Sequence, residues 1–574
     1  MLTQNESFLK STYRKALIPC MLSILAGYLN ILADGILVGQ YIGIKGLAAI
    51  NFCVPLYLLL CVIGSFWVSG TAISASEEIG KNNMEKAQLY YGTCLSVCVI
   101  SSFVATIIGI LTLPSVASTL SADEEIRSMI QSYAGVTFVG ALPKILIYIP
   151  FWYLRLEGKN KSVTIMMVIM GAGNVVLDFF FLNGLKMGVF GVALASVIAT
   201  VAADIFGFIR IHTTPTNFKL RFAFLNVWEE WKKICSSGSP AALNNLFQTV
   251  RIMVVNAFMN SLGGSEIVAT FTAVNGIAAF AEAVTVGVPN AGTAMLGVFH
   301  GEHDNESSKI ILHREWWDGF ICAVGFGAIT ILCADLIRDA YALGVSLSFP
   351  MICLAVSLIP GLWNSILISF YSVSEHPVLS NHLIFCRVLF FAVVSLLLCR
   401  NFNMNIWLFL PLSETFTLMF WIFASAIISK KKENMTRFLL MDTTLQKSGR
   451  VINFTLPNSL EKICNASERI SDFCNENGMD KKEYMKIRLS MEELMTLITK
   501  VNGETSVTFD IRVFALPEVI GIRIRYNGEA FDPVHSERHE ADEFMGIRMI
   551  EKIVKKIVYH KVFGANTLLI LIRG

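Results

Sequence analysis

Up to about Ser429 the chain is a succession of apolar runs, each long enough to cross a bilayer, separated by short loops that carry Lys and Arg. A helix crossing a hydrocarbon core about 30 Å thick needs roughly 20 apolar residues. Dividing the chain in such lengths gives about twelve spans, centred near Leu22, Leu60, Val104, Phe138, Met167, Val197, Val254, Val284, Phe326, Leu358, Phe391 and Phe420. Inside lipid every backbone N–H and C=O must be satisfied within its own segment, so these runs are expected as helices. The leading MLTQNESFLKSTYRK is polar, and the run after it is too long for a removable signal and lacks a small-residue cleavage site.

Composition supports this reading and divides the chain. Of 574 residues, 54% are hydrophobic and 16% charged, whereas a soluble globular protein carries about 25% charged residues. The net charge of +2 gives no reason to expect a nucleic-acid partner. Charges are scarce before Ser429 and frequent from there to Gly574, which separates a membrane part from a soluble part. The cysteines are scattered, with no CxxC pair, and neither they nor the histidines assemble a metal site; His300 and His303 in FHGEHD read as solvated loop residues.

Short cytoplasmic loops collect Lys and Arg. With the N-terminus inside, Lys81, Lys86, Arg155, Lys159, Lys161, Arg210, Lys219, Arg221, Lys232, Lys233, Lys309 and Arg314 all fall on the inner side, and only Lys45, Arg127, Lys186, Arg338 and Arg400 on the outer. An even number of spans with both termini cytoplasmic fits this pattern, and the setting expected is a cell membrane crossed many times.

A shift of roughly 221 residues superposes Pro19 on Pro240, Gly43 on Gly264, Leu47 on Val268 and Ala48 on Ala269. With six spans in each half the repeats run parallel, a construction found in transporters with a central cavity. The expected fold is an all-α polytopic membrane protein of two six-helix bundles, residues 1–212 and 213–429, followed by a linker, 430–450, and a cytoplasmic α+β domain, 451–574.

The repeat is broken by acids. Asp34 aligns with apolar Val255, and the segment matching Asn174 and Asp178, near Ser395 to Cys399, has no acid. An ionised carboxylate in mid-span costs about 2.5 to 3.5 kcal/mol, so such residues are rare unless paired or functional. Asn174 and Asp178 stand four apart on one helix face, and Asn30 and Asp34 repeat that spacing, so both acids are expected to converge on a polar pocket for H⁺ or Na⁺. Their alternative is solvation at helix ends. Arg251 and Glu282 lie at similar depths on consecutive spans and are candidates for an ion pair or a substrate contact. Lys144, beside Pro143, reads as a counter-cation or a snorkelling side chain, and Glu414 as a site for a cationic substrate.

ILADGILVGQYIGIKGLAAINFCVPL (Ile31 to Leu56) resembles the first-span signature of MATE (multidrug and toxic compound extrusion) transporters, and NVVLDFFFLNGLKMGVFGVALASVIA (Asn174 to Ala199) their fifth-to-sixth-span segment. With Pro240 and GVFHGEHD (Gly297 to Asp304), the likeness covers roughly Leu9 to Ser429. It implies two bundles around a V-shaped cavity and cation-for-drug antiport by rocking, with Asp34, Asn174, Asp178 and Ser196 matching the cation-responsive network of the N-terminal bundle. The branch that uses a Glu in the seventh span and an Asp in the tenth has no match, since Leu246 to Met259 offers Arg251 and no acid. One cation moving inward down about 100 mV releases about 2.3 kcal/mol, equivalent to about a fifty-fold gradient of a neutral substrate, so no ATP site or other cofactor is required.

Beyond KKKENMTR (Lys430 to Arg437), VINFTLP reads as a strand, helices follow around Leu460 to Cys474 and Lys482 to Lys500, and strands near Val507 to Phe514, Val519 to Tyr526, Ile557 to Val562 and Thr567 to Ile572. Helices on one face of a mixed sheet make an α+β sandwich. The order resembles the anti-sigma-factor type of the GHKL ATPase and kinase fold. The resemblance assigns a vestigial nucleotide site to Glu493, Asn527, Gly528 and Gly546, but Leu497 stands at the Mg²⁺-binding Asn, Tyr526 at the adenine-reading Asp and Phe544 at the first lid Gly. ATPase or kinase activity is therefore not expected, and the domain reads as a regulatory or partner-binding module.

The function expected is cation-coupled export of small organic, cationic or amphipathic compounds through the lipid bilayer, with a cytoplasmic protein as a further partner. A membrane sensor signalling through the kinase-like domain and a lipid-linked oligosaccharide flippase are the alternatives.

Overall fold

The computed structural model describes residues 6–121, 123–213, 217–340, 344–374, 376–431, 434–448, 450–503, 507–515, 520–529, 531–533 and 545–573; the side chains of some residues within these helices, including Asn30, lie outside the description. The described helices are α1 (Glu6–Tyr41), α2 (Ile44–Gly80), α3 (Met84–Leu120), α4 (Glu124–Val139), α5 (Ala141–Leu146), α6 (Tyr148–Leu156), α7 (Asn160–Phe179) and α8 (Gly188–His212). They continue as α9 (Trp228–Thr285), α10 (Gly287–Gly301), α11 (Asn305–Leu332), α12 (Ala334–Ala340), α13 (Ser348–Val373), α14 (Pro377–Phe385), α15 (Phe391–Asn401) and α16 (Phe409–Lys431).

Among the described residues nine helices are long and apolar enough to cross a membrane, or ten when α4 and α5–α6, bent by 60° at Gly140, are counted together as one span. Length and composition thus pick out nine or ten of the expected twelve. The expected centres at Val254 and Val284 both fall in the 58-residue helix α9, where Asn244, Asn245, Gln248, Arg251 and Asn256 dilute the apolar signal. Loop side chains start several helices: Asn83 accepts from Lys86 N at 3.1 Å, Asp123 from Glu125 N at 2.9 Å, and Asp304 from Ser307 N at 3.2 Å. Helix α1 packs on α7 and α2 along α9, so the two halves share an apolar core.

The soluble part begins with α17 (Thr444–Lys447) and β1 (Val451–Pro457), then α18 (Leu460–Glu476), α19 (Lys481–Asn502), β2 (Thr508–Ala515), β3 (Ile520–Tyr526), α20 (Met545–Ile553), β4 (Lys556–Val562) and β5 (Ala565–Arg573). The strands form one sheet in the order β1-β2-β3-β5-β4, every pairing antiparallel, which corrects the expected mixed sheet. Each neighbour in the sheet runs opposite to its partner, so no parallel crossover arises. One face carries Phe454, Ile511, Ile524 and Ile570 into a core with Ile487 and Met491 of α19 and Ile547 of α20. Alternation then sends Asp510, Arg512, Arg523, Arg525 and His560 to the other face. That face is covered as well: Arg512, Arg523 and Arg525 are 5%, 3% and 0% exposed.

Candidate functional site

In the first half, Asn174 ties two acids together. Its Nδ2 donates to Asp34 Oδ1 at 2.7 Å and to Asp178 Oδ2 at 2.8 Å. The four-residue spacing places Asn174 and Asp178 on one face of α7, and the packing of α1 against α7 brings Asp34 to the same amide. Asn174 and Asp178 are 1% and 0% exposed, which excludes simple solvation at a helix end. Asn174 Oδ1 and Asp178 Oδ1 have no protein donor, so a carboxylate oxygen is open to a proton and both oxygens are open to a cation.

Beside this cluster lies a cavity of about 250 Å³ lined by Tyr57, Lys144, Asn174, Ser196, Met167 and Met170, among others. Lys144 does not snorkel. It is buried, donates to Ser196 Oγ at 3.1 Å and sits 5.0 Å from the centre of the Tyr57 ring. Asn174 and Ser196 therefore face the cavity, and the two carboxylates stand behind the amide. Asn30 lies outside the residues whose side chains are described.

The second half holds another cavity, of about 260 Å³, lined by Arg251, Glu282, Arg387 and Glu414. Arg251 and Glu282 form no ion pair: Glu282 instead accepts from the Tyr28 hydroxyl of α1. Glu414 is held by Arg387 Nε at 2.9 Å and by Asn364 Nδ2 at 2.8 Å, so it is not a free attractor of cations. Arg387 also donates to Ser365 Oγ at 2.7 Å. Sequence reasoning gave Arg387 little weight. It also passed over Asp204 and Glu315, each a buried carboxyl with an unpartnered oxygen inside a span, although an acid in an apolar run was the available signal.

The face of the sheet opposite its core carries a third arrangement. Asp304 meets Arg512 at 2.9 Å and Arg523 at 3.2 Å, Glu302 pairs with Arg523 and Arg525, and Arg523 pairs with Asp510 at 2.9 Å. Although burial pushes the Asp304 carboxyl up, the guanidinium groups of Arg512, Arg523 and Arg525 pull it further down, well below the usual carboxylate range. Arg525 also lies over the rings of Phe299 and Phe563, at 4.9 and 5.2 Å. The FHGEHD loop thus offers its acids to the soluble domain, whereas the sequence had drawn attention to its histidines; His303 is exposed.

Of the positions that the resemblance assigns to a nucleotide site, Gly546 packs directly against the Glu493 carboxylate. Asn527 Oδ1 accepts from Thr508 N at 2.6 Å, and Asn502 occupies the space a Cβ on Gly528 would need. Tyr526 is buried and donates to Phe531 O at 3.1 Å, while Leu497 is in the core. Phe544 lies outside the described residues.

The MatE family pattern matches residues 19–180 and 240–407, more than half of the chain, and the chain belongs to this family of membrane transporters. The two matched stretches begin at Pro19 and Pro240, the residues that the internal repeat superposes. Members are secondary transporters and not enzymes. The probable multidrug resistance protein YoeA of Bacillus subtilis is 24% identical over 314 residues, 53% of this chain and 67% of that protein. The FAD transporter of Shewanella oneidensis is 25% identical over 42% of this chain and 54% of its own length. The multidrug export protein MepA of Staphylococcus aureus is 26% identical over 44% and 55%. The chain thus spans little more than half the length of the last two. An outward-facing multidrug resistance MATE family transporter of the MOP superfamily has a TM-score of 0.68 at 21% identity, covering 75% of this chain and 100% of its own. A MOP superfamily transporter from Pyrococcus furiosus has the same score at 22% identity with the same coverage. At these identities the likeness establishes the fold.

Proposed function

We propose that this protein exports small organic compounds across the cell membrane by alternating access, driven by an inward-moving H⁺ or Na⁺ that binds at Asp34, Asn174 and Asp178. The observation that carries the reading is the Asn174 amide bridging two carboxylates, with two buried oxygens left open. Like charges this close favour capture of one proton or cation. Ser196 and Lys144 connect that event to the cavity, because occupancy of the cluster alters what Asn174 presents to it. The test is movement of a fluorescent compound in proteoliposomes under separately imposed pH and Na⁺ gradients. A response to either supports antiport, and silence under both with a panel of anionic and cationic dyes sinks it.

We further propose that the soluble domain, read as a degenerate GHKL-like module, regulates transport as a strap across the cytoplasmic ends of both halves. Phe563 supports this: its backbone N donates to Leu156 O of the first half at 3.0 Å, and its ring packs edge-on against Phe299 of the second, 5.8 Å away. Asn217 Nδ2 adds a bond to Lys561 O at 2.6 Å. The loops at Gly80, Gly158 and Glu302, all expected inside from their neighbouring basic residues, meet this one domain, which supports cytoplasmic termini. A separate cytoplasmic protein partner would meet the domain away from the arginine face, or compete for it.

A further inference from the structure

We infer that the cavity of the second half is a binding site for an organic anion, a compound carrying a carboxylate or phosphate, and that Arg251 is the group that receives it. The inference deepens the exporter reading by naming a substrate class, and it rests on that reading only for the direction of movement.

The charged groups around this cavity are not equally engaged. Among the described residues four charged side chains line it. Glu414 is engaged by Arg387 at 2.9 Å and by Asn364 at 2.8 Å, and Glu282 accepts from Tyr28. Arg387 spends its Nε on Glu414 and its Nη1 on Ser365 at 2.7 Å. Arg251 differs from all three. Glu414 and Glu282 lie near enough to attract it, yet among the described residues no side chain or carbonyl accepts from its guanidinium. Arg251 is half-buried at the cavity wall, and an intramembrane charge without a protein partner is rare unless it serves a ligand.

The surroundings suit an oxyanion. Asn244, Gln248 and Arg251 recur at spacings of four and three along α9, so they stand on one helix face and line the cavity together. Two amides in the turns that precede a guanidinium on the same helix face add donors to the planar, several-pointed recognition that carboxylates and phosphates take. Glu414 is balanced by Arg387, and the Glu282 carboxylate, though still charged, is turned to the Tyr28 hydroxyl. The volume of about 260 Å³ holds a compact anion or the anionic end of a longer amphipathic molecule. Tyr28 belongs to the first half and Glu282 to the second, so the ligand sits where the halves meet.

The experiment measures binding to the full-length protein in nanodiscs, by fluorescence, with three probes: 6-carboxyfluorescein for a carboxylate, flavin mononucleotide for a phosphate, and ethidium as a cation. Wild type is expected to bind at least one of the anions. Arg251→Gln should weaken that binding by about tenfold or more while leaving the melting temperature and any ethidium binding unchanged, and Arg251→Lys should recover part of it. Relative affinity for the two anions distinguishes carboxylate from phosphate recognition. Wild type binding neither anion, Arg251→Gln binding as wild type does, or Arg251→Gln losing ethidium and anions alike would each overturn the inference. Anion binding without gradient-driven movement in vesicles would instead defeat the exporter reading and leave the site standing.

Discussion

Arg523 of β3 reaches Asp304, the cap of α11, at 3.2 Å across 219 residues of sequence, and both side chains are buried. Asp304 is thus both the start of a membrane helix and the anchor of the soluble domain. Removing one partner of a buried pair leaves the other uncompensated, at a cost of about 3 to 5 kcal/mol. Arg523→Ala is therefore expected to release the domain from the transporter, and limited proteolysis should then cut the 430–450 linker faster than in wild type. Gly158→Val tests another part of the same interface without touching charge. Gly158 has φ +77°, and a Cβ there would collide with the backbone of Gly564. Both variants digesting at the wild-type rate would show that the strap does not depend on this interface.

Acid should loosen the strap. Burial holds the His560 ring down to about 4, opposed by Glu302 and assisted by Arg525. The undocked ring returns to its ordinary value of about 6.5, so the released state binds the extra proton first. Stability of the docked domain is then complete above about pH 6.5 and falls as pH drops toward 4, by roughly 3 kcal/mol in all. Asp304, held low, adds a loss at more acidic pH. Asp510, whose carboxyl burial pushes up against the pull of Arg523 and Arg525, works in the opposite sense. The linker digestion rate should accordingly rise between pH 7 and pH 5, and His560→Asn should flatten that rise. An unchanged slope in the variant assigns the effect elsewhere.

The features that could be read from sequence are those in which each residue declares its own environment. An apolar run has one stable answer in lipid, and the alternation in Phe509 to Phe514 and Ile520 to Tyr526 states which side chains enter a core. The four-residue spacing of Asn174 and Asp178 placed them together, but that one amide also holds Asp34 depends on how α1 packs on α7. The misreadings have the same origin. Arg512, Arg523 and Arg525 carry no sign of their partners in the local pattern, because the acids of FHGEHD that cover them lie some 200 residues away. Arg251 and Glu282 stand at matching depth, but the hydroxyl of Tyr28, from the other half of the chain, takes the carboxylate. In α9 the polar residues that line a cavity are the ones that dilute the signal of a span.

The nucleotide-like positions should be silent. Gly546 is pressed against the Glu493 carboxylate, Asn502 fills the space above Gly528, and Leu497 offers no oxygen to Mg²⁺. Isothermal titration of the full-length protein with Mg-ATP is expected to give no heat of binding up to millimolar concentration. Micromolar affinity, lost in Glu493→Gln, would contradict the degenerate reading.

Coupling should fail when the pair of acids can no longer hold its ion. Asp178→Asn keeps the shape of the side chain and a group able to bond Asn174, so the packing of α7 is expected to survive and the melting temperature to stay near wild type. What disappears is one of the two charges that meet at the amide. If that charge is needed to bind the driving ion, a gradient of about 100 mV no longer delivers its 2.3 kcal/mol, and the accumulation ratio of a neutral substrate should collapse from about fifty-fold toward unity. Downhill exchange of the same substrate, which needs no driving ion, should persist and separates loss of coupling from loss of fold. Asp34→Asn should behave alike, since Asn174 bonds both acids. Full uphill transport by either variant would place the coupling ion outside this cluster, and the buried carboxyl of Glu315 in α11 would be the next residue to replace.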